Sequence, residues 1–188
     1  MISGQVDGMV AIASSSVPKF VMQKVDLRFF PLVDQGLKIY GSSTLVSNEY
    51  LRQNRTLVKD FSEGMLEGLK FSLLNPQETI DRFLKEHEEI ALSRNARQFT
   101  ELGLGIATVQ AIARESVDYS LGYTDLQDIG RQAGLVREFI GSEKDAPPPP
   151  VARYASNDLI GKIVMTPAEW AKARENAAPY AAYLGRTL

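Results

Sequence analysis

The chain has 188 residues, a formal net charge of −2, no cysteine and one histidine, His87. Its length suits one sizeable core, or one lobe plus part of a second. The missing thiols exclude disulfides, thiolate nucleophiles and Cys-ligated metals; a lone histidine argues against zinc and His-based acid–base chemistry, and the charge gives no footprint for nucleic acid or an acidic membrane.

No apolar run reaches the ~20 residues of a membrane span. The start, Met1-Ile2-Ser3-Gly4-Gln5-Val6-Asp7, has no basic or long apolar stretch and does not read as a signal peptide. Taken alone, that predicts a cytoplasmic chain, or one that begins inside a longer protein.

Val6 to Ala13 is a nearly continuous apolar run and predicts a short buried strand. Ser14, Ser15 and Ser16 follow, then Pro18, which predicts a serine-rich turn capping a helix with proline in its first turn. Leu27 to Leu32 predicts a second strand, at an edge because Pro31 cannot donate to a ladder. Leu37 to Val46 predicts a third, with Gly41 supplying flexibility at its centre.

From Ser47 the pattern turns helical. Leu57, Phe61, Met65 and Leu69 recur every four residues, with Val58, Leu66 and Leu73 beside them, and predict a broad apolar helix face. Asn75-Pro76-Gln77-Glu78 reads as a helix start, with Asn as cap. Phe99, Leu102, Ile106, Val109 and Ala113 form one stripe of a longer helix. Gly103 and Gly105 within it each cost about 1 kcal/mol against Ala, so they are expected to permit close packing. Thr124 to Gln127 predicts a capping box opening a helix that Gly141 stops. Residues 141–150, ending in four prolines, predict a stiff exposed loop. Thr166-Pro167-Ala168-Glu169 is the clearest capping box and opens a last helix, with Trp170, Tyr180 and Tyr183 as its docking residues.

The remaining polar residues read plainly. His87, among Glu86, Glu88 and Glu89, lacks metalloprotease spacing and reads as a solvated helix end. Arg94, Arg97 and Arg114 read as a solvated face. Arg153 and Asn157 lie in an extended return segment from Val151 to Ile163. No Gly-rich phosphate loop is present.

Four segments resemble the nitrate, sulfonate, taurine and thiamine-precursor solute-binding proteins of ABC importers, which have the type 2 periplasmic-binding fold. Gly4-Gln5-Val6-Asp7-Gly8 resembles that family's turn into a second-lobe strand. Residues Asp34–Gly41 with Thr44-Leu45-Val46 resemble its crossing strand. Tyr50–Phe61 resembles a helix entry, with Arg55 where proline is usual. Leu121-Gly122-Tyr123 and Leu135–Gly141 resemble its late helices.

The resemblance implies an α/β fold: few strands at the N-terminus, then a mostly helical remainder. It implies the remainder of a second lobe at 1–38, a crossing strand and hinge at 39–46, and helical first-lobe structure at 47–163. A C-terminal helix follows at 164–188. It reads as the C-terminal part of a periplasmic protein that closes on a small organic or anionic solute and presents it to a membrane permease. Ser14, Ser15, Ser16, Tyr40, Ser42 and Asn157 are the expected ligand-binding residues. No cofactor, metal or nucleic acid is expected, and no catalysis. A pyrimidine synthase of thiamine biosynthesis is a weaker alternative, because that likeness would bring a cysteine-rich motif. The other alternative is an interaction module that self-associates through Phe61, Met65 and Leu69.

Overall fold

The computed structural model describes residues 3–26, 28–112, 120–140 and 147–188. The chain divides into two units. The first comprises Met1–Phe30, Leu69–Val117 and Met165–Leu188; the second comprises Pro31–Gly68 and Asp118–Val164.

The expected α/β class is overturned. Among the described residues the regular structure is helical and no strand forms. A strand exists only when a neighbour completes its ladder, whatever its own residues prefer. The run from Val6 has no such neighbour: Val10 is 91% exposed, and Ala13 already belongs to a helix. Leu37 to Val46 likewise lies unpaired, with Leu45 88% exposed. Pro31 introduces a 3-10 turn at Leu32–Gln35 instead of ending a strand, and Leu27 lies outside the described residues.

The first unit is built around one helix. Its elements are α1 (Ala13–Met22), the end of α3 (Arg55–Leu74), α4 (Pro76–Glu86), α5 (Glu88–Ala91), α6 (Ala96–Ala111) and α8 (Pro167–Ala181). Helix α6 packs against α1, α4 and α8. Leu102, Ile106 and Val109 of the predicted stripe are buried, Phe99 is half-buried, and Ala113 lies outside the described residues. Facing them on α8 are Ala173, Ala177 and Ala181, each four residues after the last and all buried. Small side chains at that spacing let the two helices approach closely.

Gly105 marks the tightest approach. A Cβ built there would lie 2.3 Å from the Tyr180 ring. The Tyr180 hydroxyl then reaches Glu101 one turn earlier, donating to its carboxylate at 3.1 Å. Gly103 approaches α1 in the same way, with its Cβ position 3.2 Å from the Ser14 carbonyl. Pro18, four residues after Ser14, has no N–H to occupy that carbonyl. Asn176 ties α8 to the end of α3 by donating to the Leu73 carbonyl at 2.9 Å.

Helix starts follow local chemistry to differing degrees. At α8 the predicted capping box is present in both directions: the Glu169 amide donates to Thr166 Oγ1 at 3.2 Å, and the Thr166 amide to Glu169 Oε2 at 2.7 Å. Lys70 adds an ion pair to Glu169 at 2.8 Å, and these donors hold the Glu169 carboxyl below its ordinary range. At α4, Asn75 is the cap residue but turns its side chain back, donating to the Phe71 carbonyl. The expected serine cap of α1 is absent, because the helix already begins at Ala13 and Ser14 to Ser16 lie inside it.

The second unit contains α2 (Asn48–Gln53), most of α3, and α7 (Leu126–Phe139). Among the described residues its buried apolar side chains are few: Val58 and Leu121. The expected stripe of α3 is turned outward, with Leu57, Phe61 and Met65 all more than half exposed, while Val58 is buried beside it. Gly64 and Gly68 on the same helix have nothing within 4 Å of a built Cβ. The prolines at 147–150 are exposed, as expected, and residues 141–146 lie outside the described residues.

Two outcomes test this packing. Gly105→Ala is expected to destabilise the chain by about 1–3 kcal/mol through overpacking against Tyr180, whereas Gly64→Ala is expected to stabilise it by about 0.5–1 kcal/mol through helix propensity alone. Urea midpoints read both. Burial, with Glu101 beside it, also pushes the Tyr180 hydroxyl up to about 12 from 10.0. A raised pKa gives stability that is whole below pH 10 and lost as pH rises toward 12, because the unfolded phenol ionises first. The fall in urea midpoint across that window should shrink in Tyr180→Phe.

Candidate functional site

The six expected ligand-binding residues divide between the two units. Ser14, Ser15 and Ser16 lie in the first turn of α1, half-buried, exposed and half-buried in that order. The Ser15 and Ser16 amides both donate to the Ile12 carbonyl, at 3.3 and 3.0 Å, and Ser15 Oγ donates there as well at 3.2 Å. The Ala13 and Ser14 amides make no hydrogen bond among the described residues. These are the amides that a helix N-terminus offers to an anion.

Tyr40, Ser42 and Asn157 belong to the second unit, where two of them converge on one turn. Asn157 Oδ1 accepts from the Thr124 amide at 3.0 Å, and Asn157 Nδ2 donates to the Thr124 carbonyl at 2.9 Å. The next amide, that of Asp125, donates to the Tyr40 hydroxyl at 2.9 Å. Two side chains 117 positions apart in number therefore hold consecutive residues. Ser42 is exposed and makes no hydrogen bond among the described residues.

That turn is the start of α7. The cap is Asp125 rather than the expected Thr124: Asp125 Oδ1 accepts from the Gln127 amide at 2.8 Å and from the Asp128 amide at 3.3 Å. Asp128 in turn pairs with Arg131. The Thr124 backbone is left for Asn157 to satisfy. The pairing of Asn157 with a turn 33 residues earlier is not readable from local sequence, since nothing near either residue names the other.

Ionisation chemistry gathers elsewhere in the same unit. Arg55, Thr56, Lys59, Asp60 and Glu63 of α3 line an open dish of about 510 Å³ together with Lys162. Glu63 is its unusual member, a carboxylate with a side chain only 9% exposed. Lys162 donates to Glu63 Oε2 at 2.9 Å, and Lys59 stands 3.8 Å from Oε1. The hydrogen bond and charge of Glu63 raise the Lys162 ammonium above its ordinary range. A buried charge persists only with such partners. The dish is a set of paired charges, and sequence reading missed it because Glu63 and Lys162 are 99 residues apart.

Other polar residues are spent on structure. Arg97 is exposed, as expected, and pairs there with Asp81 while donating to Gln77 at 3.0 Å. His87 is nearly half exposed, with its ring centroid 4.6 Å from that of Phe83. Arg153 offers its carbonyl to Asn48. Arg114 lies outside the described residues. Among the described residues no three metal-ligating side chains gather, and no helix is long and apolar enough to cross a membrane.

With this geometry in view, one family comparison is positive: the NMT1/THI5 like family matches residues 1–79. It is the family of nitrate, sulfonate and thiamine-precursor binding proteins. The match includes Ser14 to Ser16, Tyr40 and Ser42, and it stops short of Asn157 and of the late helical segments. Comparison with curated proteins gives no match, and comparison with solved structures gives none.

The double hydrogen bond at Thr124 yields an expectation. In Asn157→Ala both buried-side backbone groups of Thr124 lose their partner, which should cost about 1–3 kcal/mol locally. Amide exchange at Thr124 should accelerate at least tenfold, while exchange in α6 stays unchanged.

Proposed function

We propose that the chain is a solute-binding protein of an ABC importer, taking a small organic or anionic solute in the periplasm and presenting it to a membrane permease. The observation that carries this reading is the family match over residues 1–79, which covers three of the four segments that carry the resemblance and stops short of the late helical ones. The chain acts in this reading by binding and not by catalysis; with no cysteine it lacks the motif that the pyrimidine-synthase alternative would need.

The geometry supports an anionic group as the recognised feature. Tyr40 uses its hydroxyl as an acceptor, which leaves its own proton to donate. Asn157 spends one of its two N–H bonds on Thr124 and keeps the other. The Ser14 and Ser16 hydroxyls of α1, with the Ala13 and Ser14 amides, are donors of the same kind. A donor held in place by the fold, as Asn157 is by its two bonds to Thr124, loses little freedom when a nitrate, sulfonate or carboxylate arrives.

A second reading, self-association, is favoured by one observation. Leu57, Phe61 and Met65 form an exposed apolar stripe on α3, and apolar surface of that kind drives association.

Native mass spectrometry of the full chain with taurine, nitrate and an aminopyrimidine tests both. One solute should be retained in the native spectrum and lost on denaturation. At a hundredfold excess over its Kd that solute should raise Tm by about 5–10 °C. If the whole panel leaves mass and Tm unmoved while dimers appear, the solute reading fails and self-association stands.

A further inference from the structure

Residues 39–46 run between two fixed points. At one end Gly36 adopts φ 86°, and the Lys38 amide donates to its carbonyl at 3.2 Å. At the other, Ser47 caps α2 by accepting from the Tyr50 amide at 3.1 Å. Between them every residue is exposed, and the segment makes one hydrogen bond among the described residues: the Tyr40 hydroxyl accepting from the Asp125 amide. Apolar burial adds little hold here, since Ile39 is 52% exposed and Leu45 is 88% exposed.

We propose that residues 39–46 form a strap and that Tyr40 is its latch. With the bond closed, the strap is pinned to the Thr124–Asp125 turn. With it open, the strap swings on its two ends and the Asp125 amide is released. The turn itself does not follow, because Asn157 grips Thr124 with two bonds of its own. One neutral hydrogen bond within reach of water is weak enough to open often. The latch therefore gives the strap two positions, exchanged by a single contact. This inference stands apart from the solute reading, because it concerns the fastening of the segment and not what the protein binds.

The chain has no cysteine, so Ser42→Cys provides a unique attachment point for a nitroxide in the middle of the strap. In the full chain the labelled protein should give a two-component spectrum, one slow and one fast. Adding Tyr40→Phe should move it almost wholly to the fast component. In the unlabelled Tyr40→Phe protein, exchange at the Asp125 amide should rise roughly five- to tenfold, with α6 and α8 unchanged. A single rigid component in the Ser42→Cys protein overturns the proposal without any further variant. So does a label whose motion is the same with and without the tyrosine hydroxyl. Faster exchange throughout α3 and α7 in Tyr40→Phe also overturns it, because Tyr40 would then be a packing residue and not a latch.

Discussion

The contact between Gly105 and the ring of Tyr180 is the constraint on which the first unit depends. A Cβ at Gly105 would sit inside the ring's own contact distance, so the spacing of α6 and α8 is possible only with glycine there. That spacing decides what else fits. On α8 the facing positions are Ala173, Ala177 and Ala181, and on α6 the larger Ile106 and Val109 fill the space beside them. The glycine costs helix propensity of about 1 kcal/mol, and the close-packed interior it permits offsets that cost. The same device is used more gently at Gly103, where the carbonyl of Ser14 is the neighbour.

The second unit is held on a different principle. Among its described residues the buried apolar ones are Val58 and Leu121, which give little hydrophobic area to draw on. Polar clips take over: Asn157 on Thr124, Tyr40 on Asp125, Lys162 on Glu63. Each clip is directional and fixes a geometry, but a neutral hydrogen bond such as that of Tyr40 contributes only about 0.5–1.5 kcal/mol net. A region built this way opens locally at low cost. The two units thus offer the chain a rigid packed part and a part whose segments are fastened singly.

What the sequence makes legible follows from the range of the interactions involved. The α8 start was readable because Thr166 and Glu169 cap each other within one turn. The α7 start was readable to within one residue: Thr124 and Asp125 are both good caps, and only the tertiary demand of Asn157 on the Thr124 backbone settles which one serves. The α6 stripe was readable because a buried helix repeats its apolar positions. The α3 face was not, since the helix carries two apolar stripes and nothing local says that Val58 turns inward while Phe61 turns out. The three expected strands failed for the deepest reason. A helix completes its hydrogen bonds within itself, whereas a strand needs another strand, and no stretch of sequence states whether one will be present. Among the candidate site residues, Tyr40 is suggested by the hinge that the resemblance places there and Asn157 by its position in an extended segment; their meeting on one turn belongs to tertiary structure alone.

That meeting changes what kind of site residue each of them is. A side chain whose polar atoms are all free must pay its rotamer entropy when a solute binds. Asn157 is already ordered by its two bonds to Thr124, and Tyr40 is ordered while its hydroxyl accepts from the Asp125 amide, yet each retains one unused donor. Ser42, two residues from Tyr40, has the opposite character, with its hydroxyl exposed and unordered by any partner among the described residues. In the proposed solute reading, preorganised donors that remain unsaturated suit recognition of a small anion, so Asn157 and the fastened Tyr40 are better placed for contact than Ser42. In the same proposed reading the Asp125 contact also limits Tyr40: a solute that pulled the phenol away from Asp125 would have to replace the hydrogen bond it broke, so selectivity would favour ligands that take the remaining proton and leave the Asp125 contact in place.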